Sequence, residues 1–440
     1  MKKLLSLALA LTVALSLLVV GGCDQSGDGG GGAVTPPTYD WGVFTEDDFI
    51  KADGKVLKTA AGEVLTLRGI NIGGYLVTEQ WMCGFRGSNN QYTDHKDLTE
   101  VFVKRFGAEE TVKLWTYYRE NFWTEADAEN CQKMGMNSIR LPFSYMNVDP
   151  QYNNVPEIKG QKYNFTVLDE FVELAAQYGI YTILDLHGAY GSQNGQDHSG
   201  ESLNLEQVDF YNNEENKQKT ADLWRALAEH FEGNPAVAGY DILNEPGEKA
   251  GTTKDYHWDY FDVLYDAIRE VDKDHVVIIE SCWDGNNLPQ PSKYGWQNVM
   301  YSFHNYTGHH DDVNAHLNHM QNKIDGVRKQ NFNVPIYMGE FTCYGQEQAW
   351  KKTLSLFNSY GWSWASWTYK LSNTGYDGWA ICYASAERIY ADRDSLEEIY
   401  DKMYYLDTNC ESSSMYRFSS GNTLFNIMKA GCTEAVNYYA

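Results

Sequence analysis

Two glutamates stand at the ends of apolar runs, where a carboxyl group could do chemistry. Glu245 closes Gly239-Tyr-Asp-Ile-Leu-Asn-Glu245-Pro, and Glu340 closes Val334-Pro-Ile-Tyr-Met-Gly-Glu340-Phe. Alternation along a strand would leave each beside buried neighbours, so neither reads as an ordinary solvated charge; a strand-end charge facing water is the plainer alternative. Two carboxyl groups converging on one bond suit glycoside hydrolysis. A protonated acid donates to the leaving oxygen while a carboxylate about 5 Å away attacks the anomeric carbon, and water resolves the covalent intermediate. In that scheme Glu245 is the acid/base and Glu340 the nucleophile.

Both groups must be positioned by the elements around them. Runs rich in Val, Ile and aromatic residues at 65–72, 137–141, 181–186, 237–243, 275–280, 299–304, 334–339 and 362–368 read as strands. Amphipathic stretches at 124–134, 166–178, 214–231, 256–271, 312–329 and 346–360 read as helices, with Thr124/Asp127 and Thr166/Asp169 at capping-box spacing. The alternation predicts an α/β fold, a closed (β/α)8 barrel, with a doubly wound open sheet as the alternative. In such a barrel strands four and seven face each other across the mouth, so Glu245 and Glu340 approach one cavity from opposite sides. The first connection, 73–122, carries its own helical patterns at 96–105 and 109–121 and is expected over the mouth. A C-terminal extension, 376–440, holds a polar run at 410–420 and a helix at 422–429.

The first 22 residues have the layout of a bacterial export signal, with an apolar run shorter than the roughly 20 residues that a membrane crossing needs. Gly21 and Gly22 before Cys23 resemble a lipobox, making Cys23 the expected lipid attachment and the only expected tie to a membrane; simple cleavage and secretion is the alternative. Residues 23–38 read as a flexible Gly-rich linker and 39–440 as one catalytic domain, exported to the cell envelope. A net charge of −25 disfavours nucleic acid, anionic lipid surfaces and polyanionic sugars and favours a neutral polysaccharide or oligosaccharide, although solubility alone would also account for it. Thirteen tryptophans and 32 tyrosines fit a sugar-binding cleft. With Cys23 lipidated, an odd number of cysteines remains; Cys410 and Cys432 could pair, and the others read as small buried hydrophobes. His309, His310, His316 and His319 lack the glutamate spacing of a zinc hydrolase, and Gly69, Gly73 and Gly74 make no dinucleotide fingerprint, so neither metal nor cofactor is expected. A monomer is expected.

Several motifs together resemble glycoside hydrolase family 5, in the same order along the chain. They are Ile139-Arg-Leu-Pro, Leu184-Asp-Leu-His, Leu243-Asn244-Glu245-Pro246, His304-Asn-Tyr306, Gly339-Glu340 and Trp367. The stretches from Arg68 to Trp81 and from His187 to Gly200 resemble its exo-β-1,3-glucanase branch, with departures at Tyr75 (usually Trp), Tyr190 (Pro) and His198 (Asn), and in the loop after Glu340. The resemblance implies a retaining β-glucanase. Arg140 would pair with Glu340 through a charge-assisted hydrogen bond, and Asn244 would bind the sugar 2-hydroxyl. His187 and His304 would line the same subsite, with satisfied core histidines as the alternative. Tyr306 would hydrogen-bond the nucleophile, Trp367 would lie beneath the sugar, and Glu79 would contact substrate. Exo-acting β-1,3-glucan cleavage stands first, ahead of endo-β-1,4-glucanase, mannanase or glycolipid hydrolysis on the same architecture; a non-catalytic glycan-binding lipoprotein is the alternative of another class.

Overall fold

A computed structural model describes residues 39–88, 92–204, 210, 213–247, 255–281, 284–372, 377–384, 387–406 and 414–438. The export signal, Cys23 with its linker, Cys282 and Cys410 lie outside them. Eight parallel strands, adjacent in sequence order, close into a barrel: β1 (Arg68–Asn71), β2 (Ser138–Ser144), β3 (Tyr181–Gly188), β4 (Val237–Asp241), β5 (Val276–Glu280), β6 (Val299–Asn305), β7 (Ile336–Phe341) and β8 (Ser363–Ser366). Strands β2 to β6 are buried along their whole length, because helices cover one face and the barrel interior the other. The covering helices are α3 (Glu125–Lys133), α4 (Thr166–Gln177), α5 (Glu214–Phe231), α6 (Asp255–Val271), α7 (Val313–Gln330) and α8 (Glu347–Ser359); α1 (His95–Phe106) and α2 (Ala108–Phe122) precede them.

The barrel floor is apolar. Ile183, Ala238, Ile278, Met300, Tyr337 and Ala365 pack there with Ile50 and Leu57, which come from a three-stranded antiparallel sheet before the barrel. Trp224, Trp258, Trp350 and Trp364 are fully buried. Each such aromatic removes about 150–250 Å² from water, about 4–6 kcal/mol of gross hydrophobic stabilisation. The first connection and the C-terminal extension are joined: Phe85–Arg86 pairs in parallel with Ile389–Tyr390. Lys370, just past β8, is buried with its ammonium 2.9 Å from Asp127 of α3 and 2.6 Å from the Phe122 carbonyl.

Several expectations are corrected. The run at 65–72 is divided, since Val64–Leu65 pairs antiparallel in the preceding sheet and only Arg68–Asn71 enters the barrel. Strand β4 ends at Asp241, which leaves Glu245 in the following loop. The Thr124/Asp127 capping box is present, but α4 begins at Thr166 itself, whose amide is taken by the Asn164 carboxamide at 2.9 Å, so Thr166 caps nothing. Two C-terminal helices are present: α9 (Leu396–Tyr404), which was not expected, and α10 (Leu424–Thr433). The pairing of Cys410 with Cys432 does not occur, because α10 turns Cys432 into the packing beside Cys131 and Gly135 as a free thiol. Cys382 is disulfide-bonded.

Candidate active site

Arg140, in the middle of β2, organises the mouth of the barrel. Its fully buried guanidinium reaches Asp241 on β4 (Nε to Oδ2, 2.8 Å), Asp185 on β3 (Nη2 to Oδ1, 3.0 Å), Asn244 (Nη2 to Oδ1, 2.9 Å), Asn71 on β1 (Nη1 to Oδ1, 3.1 Å) and Glu340 on β7 (Nη1 to Oε1, 2.7 Å). Glu280, at the end of β5, lies 3.6 Å away. One guanidinium thus faces several buried carboxylates at once. Burial carries Asp185 up to about 7 against the pull of Arg140, and it raises Asp241 and Glu280 in the same way.

Glu340 is held from both sides. Arg140 donates to Oε1, the Tyr306 hydroxyl donates to Oε2 at 2.7 Å, and His304 Nδ1 lies 3.5 Å from Oε2. Gly339 makes room for this: a Cβ there would stand 2.6 Å from Ser302 Oγ and 3.0 Å from His304 Nε2.

Glu245 adopts a left-handed backbone (φ 40°), rare for a residue with a side chain and costing about 1–3 kcal/mol. Its amide donates to Glu280 Oε1 at 3.1 Å, and its carbonyl accepts from Asn194 Nδ2 at 3.0 Å, so the strained turn is pinned at both ends. Glu245 Oε1 meets His304 Nδ1 at 2.8 Å, and Oε2 meets His198 Nε2 at 3.2 Å. Burial pushes Glu245 up, but the hydrogen bond and the charge of His304 outweigh it and bring it down to about 2. His304, opposed by its own burial, is carried up to about 10 by Glu280, Glu340 and Glu245.

His187 is the opposite case: burial lowers it to about 3, so it is neutral, with Nδ1 2.6 Å from Asp185 Oδ2. Its Nε2 faces Asn244 Nδ2 at 3.4 Å, and its ring is parallel to Trp367 with centroids 5.4 Å apart. A Cβ on Gly73 would collide with Trp367 at 2.6 Å, so that glycine seats the indole. Glu79 is buried and accepts from Trp81 Nε1 at 2.7 Å; burial raises it well above the usual range, and the charges of Asp197, Glu340 and Glu245 add to the rise. Trp81 packs edge-on against Trp379, which stacks on Tyr306. The first connection is tied to the 191–202 segment by Lys96 N to Gly200 O at 3.0 Å and by Ser202 N to Asp94 Oδ2 at 2.8 Å.

Among the described residues, the group of His, Cys, Asp and Glu side chains whose ligand atoms lie within 4.8 Å of one another is Glu245, His304 and Glu340. The guanidinium on Glu340 and the proton on His304 already supply positive charge there, which opposes a cation. His309, His316 and His319 do not form such a group; burial lowers His316 to about 4.

The cellulase family, glycosyl hydrolase family 5, matches residues 96–373. The chain belongs to glycosyl hydrolase family 5. It is 31% identical over 265 residues to a β-xylosidase of Phanerodontia chrysosporium, covering 59% of this chain and 52% of that one. It is 27% identical over 285 residues to a probable glucan 1,3-β-glucosidase A of Aspergillus fumigatus, covering 63% and 65%. The match thus spans between 52% and 65% of the length of these relatives. Rutinosidase from Aspergillus niger superposes with a TM-score of 0.53 at 16% identity, covering 82% of this chain and 99% of that one, and shares the barrel fold.

All the family 5 positions expected from the motifs, from Glu79 to Trp367, converge on this mouth; Cys23 lies outside the described residues. Sequence reasoning passed over Asp185, Asp241 and Glu280. Glu280 ends Val276-Val-Ile-Ile-Glu280 just as Glu340 ends its own run, so the same signal was there. Asp185 and Asp241 are single charges inside apolar strands, a pattern that itself calls for a buried cation.

Proposed function

We propose that the chain is a retaining β-glycosidase of β-linked glucan, with Glu245 as acid/base and Glu340 as nucleophile. The carrying observation is their separation. One oxygen of each lies within 4.8 Å of the other, in keeping with the roughly 5 Å of retaining sites and short of the about 6.5–9.5 Å that inverting sites need for a water. Glu340 receives donors on both oxygens and attacks the anomeric carbon as a carboxylate. Glu245 and His304 hold one proton between them. A bound neutral sugar displaces water from that pair, and loss of solvation favours the neutral acid–imidazole form over the ion pair. Glu245 then protonates the departing oxygen, and in the second step it accepts a proton from the water that cleaves the glycosyl–Glu340 ester. Asn244, its carbonyl fixed by Arg140, has an N–H for the 2-hydroxyl, and Trp367 offers a flat face beneath the ring.

Chain-end action on β-1,3-glucan is the preferred specificity. The resemblance of the 68–81 and 187–200 stretches to exo-β-1,3-glucanases supports this reading, and the names of the relatives, glucan 1,3-β-glucosidase and β-xylosidase, support a β-linked glycoside. Digestion of laminarin should release glucose alone, as the β-anomer in the first turnovers by NMR. A ladder of oligosaccharides would overturn chain-end action in favour of an endo-glucanase, and an α-anomer would overturn retention. Glu340→Ala should bind glucan without turnover; an equally inactive wild type would make the chain a glycan-binding lipoprotein instead. We further propose export with a lipid on Cys23, which palmitate labelling should detect in wild type and not in Cys23→Ala.

A further inference from the structure

We propose that a hollow beside α2, sharing no lining residue with the mouth described above, is a second carbohydrate-binding site that holds a neutral sugar unit of the glucan chain. The choice of glucan rests on the reading of the mouth as a glucanase site; the hollow is argued from its own side chains. It encloses about 320 Å³, near the lower end of the roughly 300–1,000 Å³ usual for small-molecule sites. Arg119 of α2, Trp123, Tyr75 and the first turns of α4 line it. Tyr75 follows the end of β1, and α4 starts on the connection that leaves β2. The hollow therefore lies at the same end of the barrel as the catalytic pair.

Its polar groups are short of partners. Arg119 is buried yet forms no ion pair among the described residues. Its guanidinium fork makes three long contacts, Nη1 and Nη2 with the Asn154 carbonyl at 3.3 Å each and Nη2 with Thr116 Oγ1 at 3.2 Å, and its Nε–H makes none. Trp123 Nε1 is buried with no acceptor at all. A buried cation without an acid and a buried N–H without an acceptor are both costly, and a ligand that brings oxygen atoms into the hollow satisfies both. Charge selects the ligand. Glu120 and Glu170 line the hollow and stand exposed at its rim. Burial lowers Arg119, opposed by Tyr75, Glu170 and Glu120, and burial raises Glu170, opposed by Arg119, so these groups feel one another across the hollow. Two acids around one cation, on a chain of net charge −25, repel an anion. A sugar hydroxyl both accepts and donates, which lets it take N–H groups from Arg119 and Trp123 and give its own hydrogen to Glu170. The apolar walls suit its C–H faces: Phe171 packs against both Trp123 and Tyr75, with ring centroids 5.3 Å and 5.6 Å away.

The test is calorimetric titration of Glu340→Ala with laminaribiose and with cellobiose. Two equivalents of at least one disaccharide should bind. In the same background, Glu170→Leu, at an exposed position, and Trp123→Phe, which keeps an aromatic ring and deletes the N–H, should each weaken one equivalent about tenfold, as loss of a hydrogen bond requires, and leave the other. Trp367→Ala should remove that other equivalent alone. A single equivalent lost with Trp367→Ala, or two equivalents indifferent to both Glu170→Leu and Trp123→Phe, would overturn the second site. Glucuronate bound in the hollow in place of both disaccharides would overturn the choice of a neutral sugar. An equivalent weakened by Glu170→Leu in a protein whose mouth binds neither disaccharide supports the hollow while counting against the glucanase reading, so the two fail separately.

Discussion

Tyr306 and Arg140 show how much depends on single atoms. Tyr306→Phe deletes one hydrogen bond to an ionised group, worth about 1.5–3 kcal/mol, so kcat/KM should fall roughly 10- to 150-fold with the melting temperature almost unchanged. Arg140→Met leaves buried carboxylates without their cation. Such a loss costs about 3–5 kcal/mol, to be read from urea unfolding. A Tyr306→Phe variant at full activity, or an Arg140→Met variant of wild-type stability, would contradict these roles. The glutamates, Arg140 and the aromatic partners were legible because each lies in a motif on a barrel strand or a few residues past its end. Asp185, Asp241 and Glu280 were not: which carboxylate meets a guanidinium depends on register between strands, and a linear reading does not contain that register. The contact between His198 and Glu245 was hidden for the same reason, since a turn delivers it.

At the level of elements, the eight strands were legible because parallel strands covered on both faces are continuous apolar runs. Their ends were not. Pro335 lacks an N–H and β7 starts after it, while β4 stops at Asp241 although the apolar run continues to Leu243. Helix α9 was passed over although Ser395 and Glu398 stand at capping-box spacing and form the box. Strand β7 gives an element-level prediction. Gly339→Ala puts a methyl group against Ser302 and His304, so it should cost about 1–3 kcal/mol of stability and also displace the imidazole. Activity should fall further than Tyr306→Phe lowers it, although no catalytic atom is removed. Crystals of the variant with His304 unmoved would refute the argument.

The whole molecule carries −25 in net charge, and among the described residues the buried Arg and Lys side chains are Arg119 on α2, Arg140 at the mouth and Lys370 behind β8. His304 links the site to global stability. Its folded value, about 10, lies above the ordinary 6.5, so its contribution is fully present below pH 6.5 and is lost as pH rises through about 10. Wild type should lose melting temperature across that window more steeply than His304→Asn, and parallel curves would show that His304 carries no such charge. The central claim, that Glu340 forms the covalent glycosyl intermediate, is tested most directly by trapping. Incubation with an activated 2-deoxy-2-fluoro-β-glucoside should add one fluoroglucosyl mass to the peptide containing Glu340 and inactivate the enzyme, with no label on Glu340→Gln. A label on any other residue, or turnover by the wild type with no adduct and an inverted product, would contradict the account.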